Sequence, residues 1–363
     1  MKYERIWNFN PGPAAVPLEV LESIHLNWFN FGGSGMNIIE MSHRSKEYDA
    51  IHADTAVRVK RLLGIGDNYH VLFLQGGASL QFGMIPMSFL TAGKTADYIN
   101  TGEWSTKAIK EAQLFGNVNV AFDGTPLNFA HLPRQDELKL TPGAAYVHIT
   151  SNNTIWGTEF FKFPEVSDVP LVADMSSDIM SHTFDANKFA LIYGGAQKNL
   201  GPSGVTLVVL RDDFYQTARQ DLTSMLKYKT HVEKNSLYNT PNTFGIYVMC
   251  EVLKWIEEKG GLSGMEAQNR EKAELLYGMM DKHAKFYRGT VDKDSRSWMN
   301  VCLRLPNEEL EAKFVSEGKK AGFNGLKGHR SVGGIRVSMY NAVPVQAIKE
   351  LVVFMDDFIK KNG

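Results

Sequence analysis

The sequence predicts an α/β protein: a mostly parallel sheet covered by helices on both faces, followed by a smaller α+β domain. Three observations carry that prediction. Between about residues 69 and 210, short apolar runs alternate with stretches of helical character, the pattern of parallel strands joined by crossovers. These runs hand over to polar or small residues, so one edge of the sheet collects chemistry-bearing side chains. From Trp298 the pattern changes to two strands and two helices, and a chain of 363 residues is long for one domain. The expected division is a large domain over residues 15–258 and a small one over 259–363, with segment 1–14 packing near the small domain.

Taken in order, residues 6–13 (Ile-Trp-Asn-Phe-Asn-Pro-Gly-Pro) are extended and punctuated by Pro and Gly. Pro17 suits the first turn of a helix carrying Val20, Leu21, Ile24 and Trp28 on its apolar face. A second helix is expected over 46–63, stopped by Gly64 and Gly66. Residues 69–74 read as the first strand, followed by Gln75-Gly76-Gly77-Ala78-Ser79 and a helix from Leu80 that Pro86 kinks. A strand, small residues and a helix start present backbone N–H groups to a phosphate, although the same residues also make an ordinary tight turn. Strand 96–99 leads to Thr101-Gly102-Glu103-Trp104, and strand 145–149 delivers Ser151-Asn152-Asn153-Thr154. Trp104 fits either a core tryptophan at a strand–helix junction or a stacking surface for a flat ligand. Two further apolar runs, 169–173 and 189–193, are followed by Asp174 and by Gly194-Gly195-Ala196-Gln197-Lys198-Asn199, with a last run over 205–210. Beyond a polar region (227–242), helices are expected over 244–256 and 263–283. The small domain then takes strands 299–305 and 334–339, helix 310–321, and a final helix with Val345, Ile348, Leu351, Val352, Met355 and Ile359 on one face.

Composition narrows the function classes. A net charge of −1 gives no broad field for nucleic acid or an anionic membrane, so any basic residue that matters acts locally. No apolar run approaches the roughly 18 residues of a membrane span, and Met1-Lys2-Tyr3-Glu4-Arg5 lacks a signal-peptide core; a soluble, cytoplasmic protein is expected. Cys250 and Cys302 lie in apolar settings and read as buried thiols outside any disulfide framework. No metal-ligand spacing is present, so no metal is expected.

Lys198 sits between two interior runs, where lost hydration lowers a lysine's pKa toward that of a usable nucleophile. Asp174 ends a neighbouring strand. A lysine that binds an aldehyde as a Schiff base and a carboxylate that keeps a pyridine nitrogen protonated are the pair pyridoxal 5'-phosphate requires. Two residues alone fit a structural ion pair equally well. Gln197, Trp104, Thr154 and the 77–79 loop fall on the same sheet edge and favour the cofactor. Two His-Arg pairs, His43-Arg44 and His329-Arg330, stand in Gly/Ser-rich segments. One such pair fits a solvated surface, but together they offer the charge-assisted donors that a dianionic phosphate needs. Arg336 lies in an apolar strand and calls for a carboxylate, which a substrate supplies.

The segments Asn10-Pro11-Gly12-Pro13-Ala14, Ser42-His43-Arg44, residues 75–82, Gly195-Ala196-Gln197-Lys198-Asn199, Tyr238-Asn239-Thr240-Pro241 and Lys327-Gly328-His329-Arg330 occur in that order. In this the chain resembles the phosphoserine aminotransferase family, fold-type I pyridoxal-phosphate enzymes of the class V aminotransferase group, over nearly its whole length. The resemblance implies that Lys198 forms the covalent link and Asp174 pairs with the pyridinium nitrogen. It implies that Trp104 stacks on the ring, Thr154 lies near the ring hydroxyl, and Ala78, Ser79 and Gln197 hold the cofactor phosphate. Asn239 and Thr240 would reach the phosphate in a neighbouring subunit, making a homodimer with shared sites. His43, Arg44, His329 and Arg330 would receive a substrate phosphate, and Arg336 its carboxylate. The implied reaction is ping-pong transamination between glutamate and 3-phosphohydroxypyruvate in serine biosynthesis; the sequence leaves open whether a phosphorylated threonine analogue of vitamin B6 biosynthesis is accepted as well. Some members carry arginine where this chain has Ser79, which removes one cation from that loop.

Overall fold

A computed structural model describes residues 2–363. Its main sheet has seven strands: β1 Tyr69–Leu74, β2 Thr95–Asn100, β3 Asn117–Asp123, β4 Val147–Thr150, β5 Leu171–Asp174, β6 Phe189–Gly195 and β7 Thr206–Arg211. They lie in the order β1-β7-β6-β5-β4-β2-β3. β7 runs antiparallel to both neighbours, and every other pairing is parallel. β4, β5 and β6 are buried throughout, as the apolar runs of β5 and β6 require of strands covered on both faces, while β4 also buries His148 and Thr150. β3 is an addition to the sequence reading. Its polar–apolar alternation (Asn-Val-Asn-Val-Ala-Phe-Asp) suits an edge strand, and only Ala121 in it is fully buried.

Helices α1 Leu18–Leu26, α2 Lys46–Leu63 and α5 Thr243–Glu258 pack on one face of the sheet, and α3 Gly77–Phe89 and α4 Glu103–Ala112 on the other. α2 starts where Ser45 Oγ accepts from Tyr48 N at 3.2 Å and stops at Gly64, which is left-handed at φ 63°. α1 ends before Trp28, which instead packs edge-on against Phe244 at 5.7 Å. Pro86 falls in the last turn of α3, where the helix is already ending.

The C-terminal part has its own apolar core. Helices α6 Gly261–Lys282, α7 Glu308–Lys320 and α8 Val345–Asn362 pack with an antiparallel sheet of β8 Arg288–Gly289, β9 Asn300–Arg304 and β10 Ile335–Ser338. α6 belongs to both cores: Leu262 and Met265 join the main one, Ala273, Leu276 and Met280 the small one. Buried Lys272 on α6 donates to the carbonyls of Met339 (2.7 Å), Tyr340 (2.8 Å) and Val343 (3.0 Å), fixing the turn after β10.

The N-terminal segment joins the two parts. Trp7–Asn8 pairs in parallel with Phe323–Asn324, and Phe9 is fully buried in the small core. The chain then crosses to the main sheet, where Ala14 N donates to Gln197 O at 2.9 Å. Segment 1–14 thus meets the small domain in its first half and the Lys198 turn in its second. Both cysteines are buried and unpaired with each other. Among the described residues no helix is long and apolar enough to cross a membrane, and no cluster of His, Cys, Asp and Glu is placed to hold a metal.

Candidate active site

The site forms where β4, β5 and β6 end on the same edge of the sheet. Asp174, the last residue of β5, is buried; its Oδ1 accepts from Ser176 N (2.9 Å) and Ser176 Oγ (2.6 Å). Burial holds this carboxyl above the ordinary aspartate range, against the two Ser176 hydrogen bonds and the Lys198 charge. Its Oδ2 makes no hydrogen bond to the described residues.

Lys198 lies in the turn between β6 and β7, half-buried. Its Nζ donates to Thr154 Oγ1 at 2.5 Å. Burial brings the ammonium down to about 8, opposed by the Asp174 and Asp178 charges and assisted by Arg336. A usable neutral fraction therefore exists near neutral pH. Gly12 closes over the lysine: a Cβ there would stand 3.4 Å from Lys198 Cγ and 3.5 Å from Gln197 Cγ, and its φ of +140° suits glycine.

Thr154 joins the lysine to the small domain. Its main-chain carbonyl accepts from Arg336 Nη1 at 3.3 Å. Arg336, on β10, is buried, carries no ion pair among the described residues, and has an Nε without a partner. Burial holds its guanidinium below the usual arginine value. Such a group calls for an anion. Tyr340 completes this wall, its hydroxyl donating to Pro11 O at 2.8 Å and accepting from Asn300 Nδ2 at 3.1 Å.

Trp104, in the first turn of α4, brings its ring centroid to 5.9 Å from Lys198 Nζ. Its buried Nε1 has no partner. Lys107, one turn on, stands 4.6 Å from the same ring and pairs with Glu103 at 3.6 Å. The residues after β1 open α3 at Gly77, so Ala78 and Ser79 fall in its first turn. No side chain caps that end, and its amides are free for an anion. Gln197 is half-buried beside Lys198.

The 328–334 hairpin is pinched shut by Gly328 N donating to Gly334 O at 2.8 Å; a Cβ on Gly328 would meet Gly333 O at 1.9 Å. The turn presents His329 and Arg330. His329 Nδ1 meets Ser331 Oγ at 2.7 Å, and the imidazole is held below its ordinary pKa by burial and by the Arg336, Arg330 and Lys107 charges, with Glu103 opposing. The charges that act on His329 thus come from β10 and α4 as well as from its own turn. Arg330 is exposed and unpaired among the described residues.

The remaining candidates are not brought to Lys198 by this one chain. His43 and Arg44 precede α2; Arg44 N donates to Ser42 Oγ at 3.2 Å, and neither side chain has a protein partner among the described residues. Asn239 Nδ2 donates to Gln75 Oε1 at 3.4 Å, at the entrance to the 76–79 turn, and Thr240 is exposed. Sequence reasoning missed Ser176, Tyr340 and Lys107. Lys107 had a signal, standing one helical turn past Trp104 and so on the same face; Ser176 and Tyr340 had none.

A family profile described as aminotransferase class-V matches residues 6–351. A phosphoserine aminotransferase of Desulfosudis oleivorans is 58% identical over 362 residues, covering 99% of each chain. The solved phosphoserine aminotransferase of Bacillus circulans subsp. alkalophilus superposes with a TM-score of 0.97 at 54% identity, covering 99% of this chain and 100% of that one. A phosphoserine aminotransferase from Trichomonas vaginalis, solved with PLP bound, gives a TM-score of 0.92 at 39% identity, covering 97% of this chain and 100% of that one.

Proposed function

The chain belongs to the class-V aminotransferase family, and from that premise we propose that it transfers an amino group from glutamate to 3-phosphohydroxypyruvate in serine biosynthesis. Pyridoxal 5'-phosphate, when bound, supplies an aldehyde for the amine and a ring that takes up the electron pair released at Cα. The residues fit this group: a half-buried lysine, a carboxylate oxygen without a partner, an uncapped helix start and an aromatic face converge on one sheet edge.

In this reading Lys198 forms the covalent link to the cofactor and afterwards moves a proton to and from the substrate Cα. Its lowered pKa serves that second task, because a general base works best with a pKa near the operating pH. Asp174 Oδ2 holds the ring N–H. Trp104 covers a ring face, Thr154 Oγ1 stands beside the lysine near the ring hydroxyl, and Ala78, Ser79 and Gln197 hold the cofactor phosphate. Arg336 binds the α-carboxylate common to both amino acids and both keto acids. His329 and Arg330, with His43 and Arg44, receive the substrate phosphate. Asn239 and Thr240 serve a second copy's site, so the working unit is a homodimer, and the two domains are the large one of 15–258 and the small one of 259–363.

The observation that carries the proposal is the run Lys198–Thr154–Arg336, which sets a nucleophilic amine within one residue of a buried, unpaired guanidinium. The experiment is an amino-transfer assay from glutamate with 3-phosphohydroxypyruvate and with plain hydroxypyruvate. The phosphorylated acid is expected to be preferred by at least about tenfold in kcat/KM, the worth of one charge-assisted bond. Equal rates point to an aminotransferase for unphosphorylated acids, and no exchange with either defeats the proposal.

A further inference from the structure

Beneath Asp174 lies a second buried carboxylate, Asp178, to which the reaction above gives no task. It is 2% exposed, and its carboxyl has one side-chain partner among the described residues, Ser151 Oγ at 2.5 Å from Oδ1, beside its own main-chain N–H. Ser151 Oγ also lies 3.0 Å from the main-chain carbonyl oxygen of Asp174, to which Ser151 N donates at 3.0 Å. A serine hydroxyl has one proton. Two oxygens compete for it, and the peptide carbonyl can only accept.

We propose that Asp178 is held as the neutral acid, its O–H donating to Ser151 Oγ and Ser151 in turn donating to the Asp174 carbonyl, so that Asp178 is a positioning residue for Asp174. Every contact in the relay then has its proton. With Asp178 ionised, either the Ser151–Asp174 contact becomes an oxygen pair without a proton, or a buried anion is left without its one side-chain donor. The charged groups facing Asp178 are Asp174, Glu159 and Lys198. Two of the three are buried carboxyls, and Asp174 already claims the Ser176 donors. Burial and the Asp174 charge push Asp178 up to about 7, opposed by Ser151, by its own main-chain N–H and by the Lys198 charge. A negative Asp178 would also raise Lys198, whose task needs a neutral amine.

The consequence for the cofactor rests on the proposed function; the protonation itself does not. Parent, Asp178→Asn and Asp178→Ala proteins are compared, first without cofactor and then loaded. In the cofactor-free proteins at about pH 6, below the raised value, the infrared band of a protonated carboxyl is expected in the parent and diminished in both variants. No difference between parent and Asp178→Asn overturns the proposal. Loss of the donor in Asp178→Ala should weaken pyridoxal phosphate binding by about 5- to 100-fold, the range of a buried hydrogen bond, while the amide N–H of Asp178→Asn restores affinity to within about threefold. Alanine binding as well as parent, or asparagine as poorly as alanine, overturns the positioning role. The pH midpoint of the bound cofactor's visible absorbance should shift by less than about half a unit in Asp178→Asn; a fall of about one unit or more means that a negative charge was removed. A parent protein that binds no cofactor defeats the proposed function instead, and the infrared comparison still decides the protonation.

Discussion

The turn that carries Lys198 and the hairpin that carries Arg330 hold cations under opposite conditions. Around Lys198 the protein itself does the solvating: Thr154 accepts from the amine, Ser176 binds the neighbouring carboxylate, and Gly12 closes over the lysine stem. Arg330 and Arg44 are exposed instead, and neither side chain has a protein partner among the described residues. The first arrangement fixes geometry and pKa before any ligand arrives. The second leaves charge uncommitted for a ligand to claim. Arg336 stands between, buried like the lysine yet unpaired like the hairpin arginine. The difference separates chemistry from recognition, and substitutions should fail differently at each place.

The largest effect is expected for Lys198→Ala. A general base contributes about 10²- to 10⁴-fold, and loss of the covalent link adds to this, so kcat should fall by at least that much while the protein stays folded. A variant transaminating at the parent's rate would remove the contrast altogether. Arg336→Leu should cost about 10- to 150-fold in kcat/KM for glutamate and for both keto acids alike, because all carry the carboxylate. Its melting temperature should not fall, because leucine relieves a buried guanidinium that lacks a counter-ion. A loss confined to one substrate, or a large loss of stability, would make Arg336 a structural residue. Arg330→Leu should cost about 10- to 100-fold with 3-phosphohydroxypyruvate and little with hydroxypyruvate, since only the phosphate pairs with it. Equal losses would merge recognition with chemistry.

A further effect is on stability. Lys198 is held at about 8, below the roughly 10.4 of an unfolded lysine, so between those values the unfolded chain binds the extra proton. The cofactor-free protein should therefore gain stability relative to Lys198→Met as pH rises from about 8 to about 10.4, and show no such change below that window. Denaturant titration of both proteins at several pH values measures it; a flat difference would mean that the lysine is not desolvated.

What could be read in advance follows the same division. β5, β6 and β7 were legible because strands buried on both faces are continuous apolar runs, and the polar residue that ends such a run stands out, as Asp174 and Lys198 do. β3 was missed because an edge strand with one open face carries a weaker pattern. Arg336 was legible as the one charge in an apolar strand. The closing of Gly12 over Lys198 and the pinning of Tyr340 by Lys272 were not, since each depends on segments that only the tertiary fold brings together. Family resemblance named Asn239 and Thr240, for which one folded chain provides no neighbour at Lys198.

The N-terminal segment imposes an order on synthesis. Its anchors lie at the far end of the chain: Trp7 reaches Glu350 across 343 residues, and Pro11 is held by Tyr340 across 329. During translation the segment emerges long before those anchors, although Gln197, which accepts from Ala14 N, follows sooner. The main sheet, complete by Arg211, can assemble earlier with its lysine uncovered. The cover over Lys198 is therefore fixed late, although Gly12 itself is made early. Such long-range closure is slow to form, and a chain broken off before Phe323 would lack the segment's strand partner as well as Tyr340 and Glu350.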